Sequence, residues 1–260
     1  MSLLDTLKGS IEEEQQLSTK KDNYVNELYF ATCNRDHIDC KIWRLNDDRV
    51  VEEIATRDLV IMSLAFHNNV LYDAGLYKAV FETLNDKKGI HEIVKRKGNI
   101  YTLCSHKGIL YDAGDYEGYN NKLFMTLENK ALELPALHSF SYISKLYSDQ
   151  KTFYGIRAKG GIFDLLNNIC VEDVRPGYAN DLCVHKGRLY YGGVMRKVID
   201  AKENTYVAAR DHIILALCSH NGMLLDAGNS AAIFDTFSDE KICECDDIIT
   251  AMCSVRRRIE

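Results

Sequence analysis

An all-β fold, a ring of seven four-stranded antiparallel blades closed on itself, follows from three features of the 260-residue sequence. One twelve-residue phrase recurs four times. A second, shorter signature recurs at intervals of 35–43 residues. The two ends of the chain each supply part of one unit. Such self-similarity is the mark of a repeat architecture, and a period near 37 residues lies in the range of propeller blades. Composition agrees with a globular chain: 46% hydrophobic, 27% charged, net charge −6, which excludes collagen-like, disordered and low-complexity classes.

The phrase reads Leu103-Cys-Ser-His-Lys-Gly-Ile-Leu-Tyr-Asp-Ala-Gly114, and again from Leu64, Leu182 and Leu217, with degenerate copies from Leu146 and Met252. The signature is an apolar pair followed by a third residue, most often acidic, and Thr or Leu. It occurs around Leu4, Trp43, Phe81, Phe124, Phe163, Ile199 and Phe234. Each unit reads as strands A to D. In the copy from Ile100, strand A covers 100–105 and ends in a His-Lys-Gly turn, B covers 109–113, C 122–127 and D 131–134. Gly or Asn in the A–B turn supplies the positive φ of a tight hairpin. Strand A, as in Ile213-Ile-Leu-Ala-Leu-Cys218, is apolar on both faces and so belongs between neighbouring sheets. Strand D alternates and is acidic, as at Glu52, Glu53, Glu172 and Glu244, which suits an exposed outer edge.

One domain over 1–260 is expected, its last blade a composite of 250–260 and 1–14. The first blade then needs its strand A in the polar stretch Leu17–Lys21. If that stretch is not a strand, the ring has six blades.

At Leu217-Cys-Ser-His-Asn-Gly, Asp226-Ala-Gly and Ile233-Phe-Asp-Thr236 the chain resembles the WD40 β-propeller superfamily in layout. The signature differs: only Trp43 holds the Trp position, with Arg44 where Asp would follow, and no Gly-His dipeptide precedes strand A. The resemblance implies a platform for binding partners, and propellers host many functions.

Four histidines share one repeat position, His67, His106, His185 and His220, and would ring one mouth of the central channel. Imidazoles at a common axis are potential metal ligands; the alternative is that His opens a tight turn. Asp73, Asp112 and Asp226 end strand B toward the opposite mouth, as acid–base groups or as turn-shaping carboxylates. Lys107, Lys186, Arg188, Arg256, Arg257 and Arg258 make the A–B turns basic, an anion-attracting ring against acidic D strands. The B–C loops differ from copy to copy and hold the contact-forming types Tyr77, Tyr116, Tyr119, Met195 and Arg196. Cys104, Cys183, Cys218 and Cys253 read as small apolar side chains between blades, and Cys243-x-Cys245 as a weak metal signal.

The leading functional reading is a non-enzymatic scaffold that binds a protein partner through one channel-mouth face, with no cofactor. Two readings stand beside it: an enzyme or small-ligand binder using the channel, as lactonase-like and lyase-like propellers do, and an anion or nucleic-acid platform on the basic ring, which the acidity disfavours. Nine cysteines without an apolar leader suggest free thiols in a cytoplasmic or otherwise intracellular protein. No apolar run is long enough for a membrane span.

Overall fold

The computed structural model describes residues 24–84, 91–116, 122–133, 142–175 and 178–258. β1 (Tyr24–Cys33), β2 (Cys40–Leu45) and β3 (Val51–Arg57) are three strands of the first sheet. The second sheet is β4 (Ile61–His67), β5 (Val70–Gly75), β6 (Ala79–Leu84) and β7 (His91–Lys95). The third is β8 (Ile100–His106), β9 (Ile109–Gly114), β10 (Lys122–Met125) and β11 (Lys130–Glu133). The fourth is β12 (Ile143–Ser148), β13 (Phe153–Arg157), β14 (Ile162–Asp164) and β15 (Ile169–Glu172). The fifth is β16 (Asp181–His185), β17 (Arg188–Gly192), β18 (Lys197–Asp200) and β19 (Thr205–Ala209). The sixth is β20 (Ile214–His220), β21 (Met223–Gly228), β22 (Ala232–Asp235) and β23 (Lys241–Glu244). Finally β24 (Ile248–Arg258) joins the first sheet on the inner side of β1.

The ring therefore has six blades, not the expected seven. Six of the seven signatures mark strand C of a blade, from Trp43 in β2 to Phe234 in β22. The seventh, Leu3–Thr6, lies outside the described residues, as do 1–14 and Leu17–Lys21. The inner position of the first blade, which the seven-blade reading assigned to Leu17–Lys21, is filled by β24. β24 pairs with β1 from Tyr24↔Arg258 to Cys33↔Ile248. Closure by terminal strands thus occurs, but the partner of the last strand is Tyr24–Cys33. Pairing the two removes two sheet edges that would otherwise be open.

Local chemistry explains the hairpins. The A–B turns place both central residues at positive φ: Lys107 (47°) with Gly108 (77°), Lys186 (48°) with Gly187 (77°), Asn221 (48°) with Gly222 (76°). These are the primed turns whose twist matches that of the strands. At the far end of strand B, Gly75, Gly114 and Gly228 are needed for a different reason. A Cβ there would sit 1.9–2.0 Å from the backbone oxygens of Val60, Asn99 and Ile213. The first two strands of these three blades close tightly at that point.

Six buried apolar clusters fill the ring. Tyr29, Ile42, Ile61 and Leu71, for example, pack where the first sheet meets the second. Cys33 and Cys40 form a disulfide across the β1–β2 loop, both fully buried, which corrects the expectation that all thiols are free. Cys104, Cys183 and Cys218 are buried free thiols, and burial raises their pKa, that of Cys183 to about 12. The outer strand of the fifth blade, Thr205–Ala209, holds no acid and departs from the acidic edge pattern, exposing Tyr206, and in the fourth blade Glu172 shares its strand with exposed Ile169 and Val171. Among the described residues no helix is long and apolar enough to cross a membrane.

Candidate functional site

Asp73, Asp112 and Asp226 sit at equivalent points of strand B, opposite Leu64, Leu103 and Leu217, and each is completely buried. Each receives an arginine from the outer edge of the preceding blade, sixteen residues upstream. Arg57 Nε donates to Asp73 at 2.9 Å. Arg96 holds Asp112 with two bonds of 2.9 and 2.8 Å, and Arg210 holds Asp226 with two of 2.7 and 2.8 Å. A threonine of the same blade completes the set: Thr83 on Asp73, Thr126 on Asp112 at 2.8 Å, Thr236 on Asp226 at 2.9 Å. The guanidinium groups lie over Phe81, Phe124 and Phe234. These carboxylates are interblade clamps, bidentate and fully hydrogen-bonded. Tyr77 and Tyr116 belong to the same clamps, donating their hydroxyls to Asp73 and Asp112. Burial first, and then the carboxylate, pushes both phenols well above the ordinary tyrosine range.

The four histidines are also interblade groups. His67 Nδ1 lies 2.9 Å from Ser105 Oγ, His106 2.8 Å from Ser148, His185 2.9 Å from Ser219 and His220 3.0 Å from Ser254. In each pair the serine belongs to the next blade. Burial holds all four below the usual histidine range. Among the described residues no three His, Cys, Asp or Glu side chains gather with the geometry of a metal site.

The basic turns are exposed. Lys107 and Lys186 stand at the hairpin tips. Arg188 pairs with Asp200 at 3.0 Å, and Arg256 lies over the Tyr24 ring at 4.6 Å. Acids of the C–D turns interleave with them, including Asp47, which accepts from Asn221 at 2.9 Å. The side chains of Arg257 and Arg258, and all of Tyr119, lie outside the described residues. Arg196 is exposed on a B–C loop and donates to the Asp211 carbonyl at 3.1 Å.

Among the described residues, one concavity is marked by no repeated motif. At the mouth formed by the B–C and D–A loops the channel widens into a funnel of about 600 Å³, within the range of ligand sites. One wall is largely aliphatic, with Val60, Met62, Ile213, Leu215 and Ile248 beside the polar Asn229 and Thr250. The other carries Tyr101, Tyr142, Ser144, Lys145, Arg157 and Asn180. His37, on the loop closed by the disulfide, also lines it. Toward the A–B turns the channel narrows to about 270 Å³, lined by Cys104, Tyr147, Cys218 and Cys253. Lys145 borders both chambers and pairs with the buried Asp181 at 3.3 Å. Asp181 also accepts the Leu182 and Leu217 amides at 2.8 and 2.9 Å. Burial raises its pKa, against the lowering effect of Lys145 and those amides.

Sequence reasoning passed over these residues because it followed what the repeats share. The usable signal was where they break. Lys145 and Asp181 occupy the strand-A position of Ser63, Thr102 and Ala216. Arg157 occupies the strand-B position of Gly75, Gly114 and Gly228.

With this geometry in hand, the comparisons with solved structures are decisive for the fold. The chain is similar to the WD40 β-propeller domain of Doa1, with a TM-score of 0.53 and 13% identity over 85% of this chain and 80% of that one. It is similar to the β-propeller domain of Myceliophteria thermophila Cps50 (Swd1), with a TM-score of 0.53 and 12% identity over 84% of this chain and 86% of that one. The chain folds as a six-bladed β-propeller, similar in fold to these domains. No family model and no curated protein matches the sequence. In this six-bladed ring the arginine clamps tie the outer edge of one blade to strand B of the next.

Proposed function

We propose that this propeller is a protein-binding platform whose partner docks over the wide mouth of the channel. The observation that carries the reading is the 600 Å³ funnel, which opens on the face where the loops differ between blades. The loops on that face also expose apolar side chains. Ile38 (46%) and Leu59 (42%) adjoin the funnel-lining His37 and Val60, and Val194 and Met195 (43% each) crown the fifth blade. Aliphatic side chains around a concavity on a rigid ring lose little conformational freedom on binding. The repeated Asp and His groups serve the blade seams, which leaves the loop residues, Arg196 among them, to make the contacts.

The test is affinity capture from native lysate with three forms of the full chain. One is wild type. One carries Leu59→Glu and Met195→Glu at the wide mouth. One carries Lys107→Glu, Lys186→Glu and Arg256→Glu on the opposite face. A partner lost only with the wide-mouth variant is the expected result. Loss only with the second variant would transfer the site to the basic turns, and capture of nothing by wild type would sink the platform reading.

A further inference from the structure

We infer that the funnel is a binding site for a small amphipathic carboxylate, an aliphatic chain ending in an anionic head. The head would rest on Lys145 and Arg157, and the chain on Met62, Leu215 and Ile248. This site rests on the funnel's own chemistry and not on the protein-partner reading.

Three observations support it. The first is the division of the walls. Lys145 and Arg157 come from the fourth blade, whereas Met62, Leu215 and Ile248 come from the second, sixth and first, across the channel. A ligand spanning the funnel meets cations at one end and, at the other, a largely aliphatic wall that also holds His37, Asn229 and Thr250. A purely apolar or purely charged molecule satisfies only one wall.

The second is Arg157 itself. The matching glycines of three other blades are held against backbone oxygens of their own blades. In the fourth blade the two strands stay joined at that point, Ala158 N–H donating to the Tyr142 carbonyl at 3.0 Å, and Arg157 places a guanidinium at the mouth. The group lies over the Phe163 ring, 3.7 Å from its centroid. Burial lowers its pKa. Planar, bidentate recognition of a carboxylate is what a fixed guanidinium does well.

The third is Lys145. Its partner Asp181 already accepts two backbone amides, and the 3.3 Å contact engages one of three ammonium protons. Its side chain is only 12% exposed, at the junction of the two chambers. A second oxygen acceptor is therefore the natural complement of this cation. A funnel of 600 Å³ readily holds a ten-carbon acid.

The experiment is calorimetric titration of the full chain with sodium decanoate, 1-decanol and decyltrimethylammonium. Wild type is compared with Arg157→Gln, Lys145→Met and Leu215→Arg, each first shown by its melting curve to be folded. Decanoate is expected to bind wild type saturably at one site. Arg157→Gln should weaken it at least tenfold while leaving decanol unchanged, and Leu215→Arg should abolish it. The cationic analogue should not bind. Equal decanoate affinity in wild type and Arg157→Gln would overturn the proposal, as would no binding to wild type or equal binding of the cationic analogue. Should Lys145→Met fold poorly, Arg157→Gln, at a residue outside every clamp, decides the matter alone. Failure here leaves the capture result at Leu59 and Met195 standing.

Discussion

The seam between the fifth and sixth blades and the seam between the fourth and fifth use different chemistry. The former has every repeated device: the Arg210–Asp226–Thr236 clamp, the His185–Ser219 bond and the Asp181 bond to the Leu217 amide. At the latter, Tyr191 stands where the clamp aspartate would be, opposite Leu182. Tyr147 reaches the Val184 carbonyl at 3.3 Å, and Lys145 meets Asp181. The regular seam consumes its charges internally. The irregular one turns its ionic pair toward the channel. Repetition therefore marks what holds the ring together, and departure from it marks what faces a ligand.

That contrast is sharpest at the clamps. Asp226→Ala should destabilise the fold by about 3 kcal/mol, because it takes the buried carboxylate from Arg210 and leaves it only the exposed Asp239. Urea unfolding measures this. A loss below about 1 kcal/mol would mean that Asp239 alone satisfies Arg210, and that the clamp adds little. The closing blade offers an intermediate case. It has Phe30 opposite Met252 at the clamp position, and the Cys33–Cys40 disulfide nearby. Cys33→Ser opens a loop of sequence separation 7, which should cost about 2 kcal/mol. Comparing melting temperatures with and without reductant checks it, since wild type under reductant should fall toward the variant.

The histidine seams add a pH signature. Their folded pKa values lie below the unfolded value, so the unfolded chain takes up protons first as pH falls. Stability is complete above the unfolded histidine value, near 6.5, and declines as pH falls below it. His106→Gln should flatten that decline, and an unchanged profile would remove the His–Ser bonds from the account. The smallest effect belongs to the turns. Lys186→Asn relieves part of the roughly 1–2 kcal/mol that a side chain bearing Cβ costs at positive φ. A small rise in melting temperature is expected, and a fall would show that Lys186 contributes elsewhere.

Most of the architecture could be read before the structure. Strand order within blades and the primed A–B turns follow from the phrase from Leu103 and its copies, whereas the closing blade joins β24 to Tyr24–Arg57 and not to the expected 1–14. The blade number went astray because Leu3-Leu-Asp-Thr6 matches the strand-C signature, and a four-residue match carries no information on pairing. What decides the count is that β24 lies beside Tyr24–Cys33, a contact between positions more than two hundred residues apart. The site was less legible for a related reason. A buried Asp and an exposed one look alike in sequence, so Asp73 and its copies read as channel groups. Their arginines lie sixteen residues upstream in another blade, beyond any local pattern. Lys145 and Arg157 were visible only as exceptions, and their significance depends on knowing which repeat positions face the channel.

The antiparallel match of β24 with β1 has a mechanical consequence. Tyr24 and Arg258 are directly paired, so the two strand ends leave the ring side by side. Tension between them acts across the ladder, not along it. The hydrogen bonds from Tyr24↔Arg258 toward Cys33↔Ile248 would then break one after another, as a zipper opens, instead of sharing the load. A ring so well knit between its blades is thus weakest to a pull at the place where it is fastened, and opens there at low force.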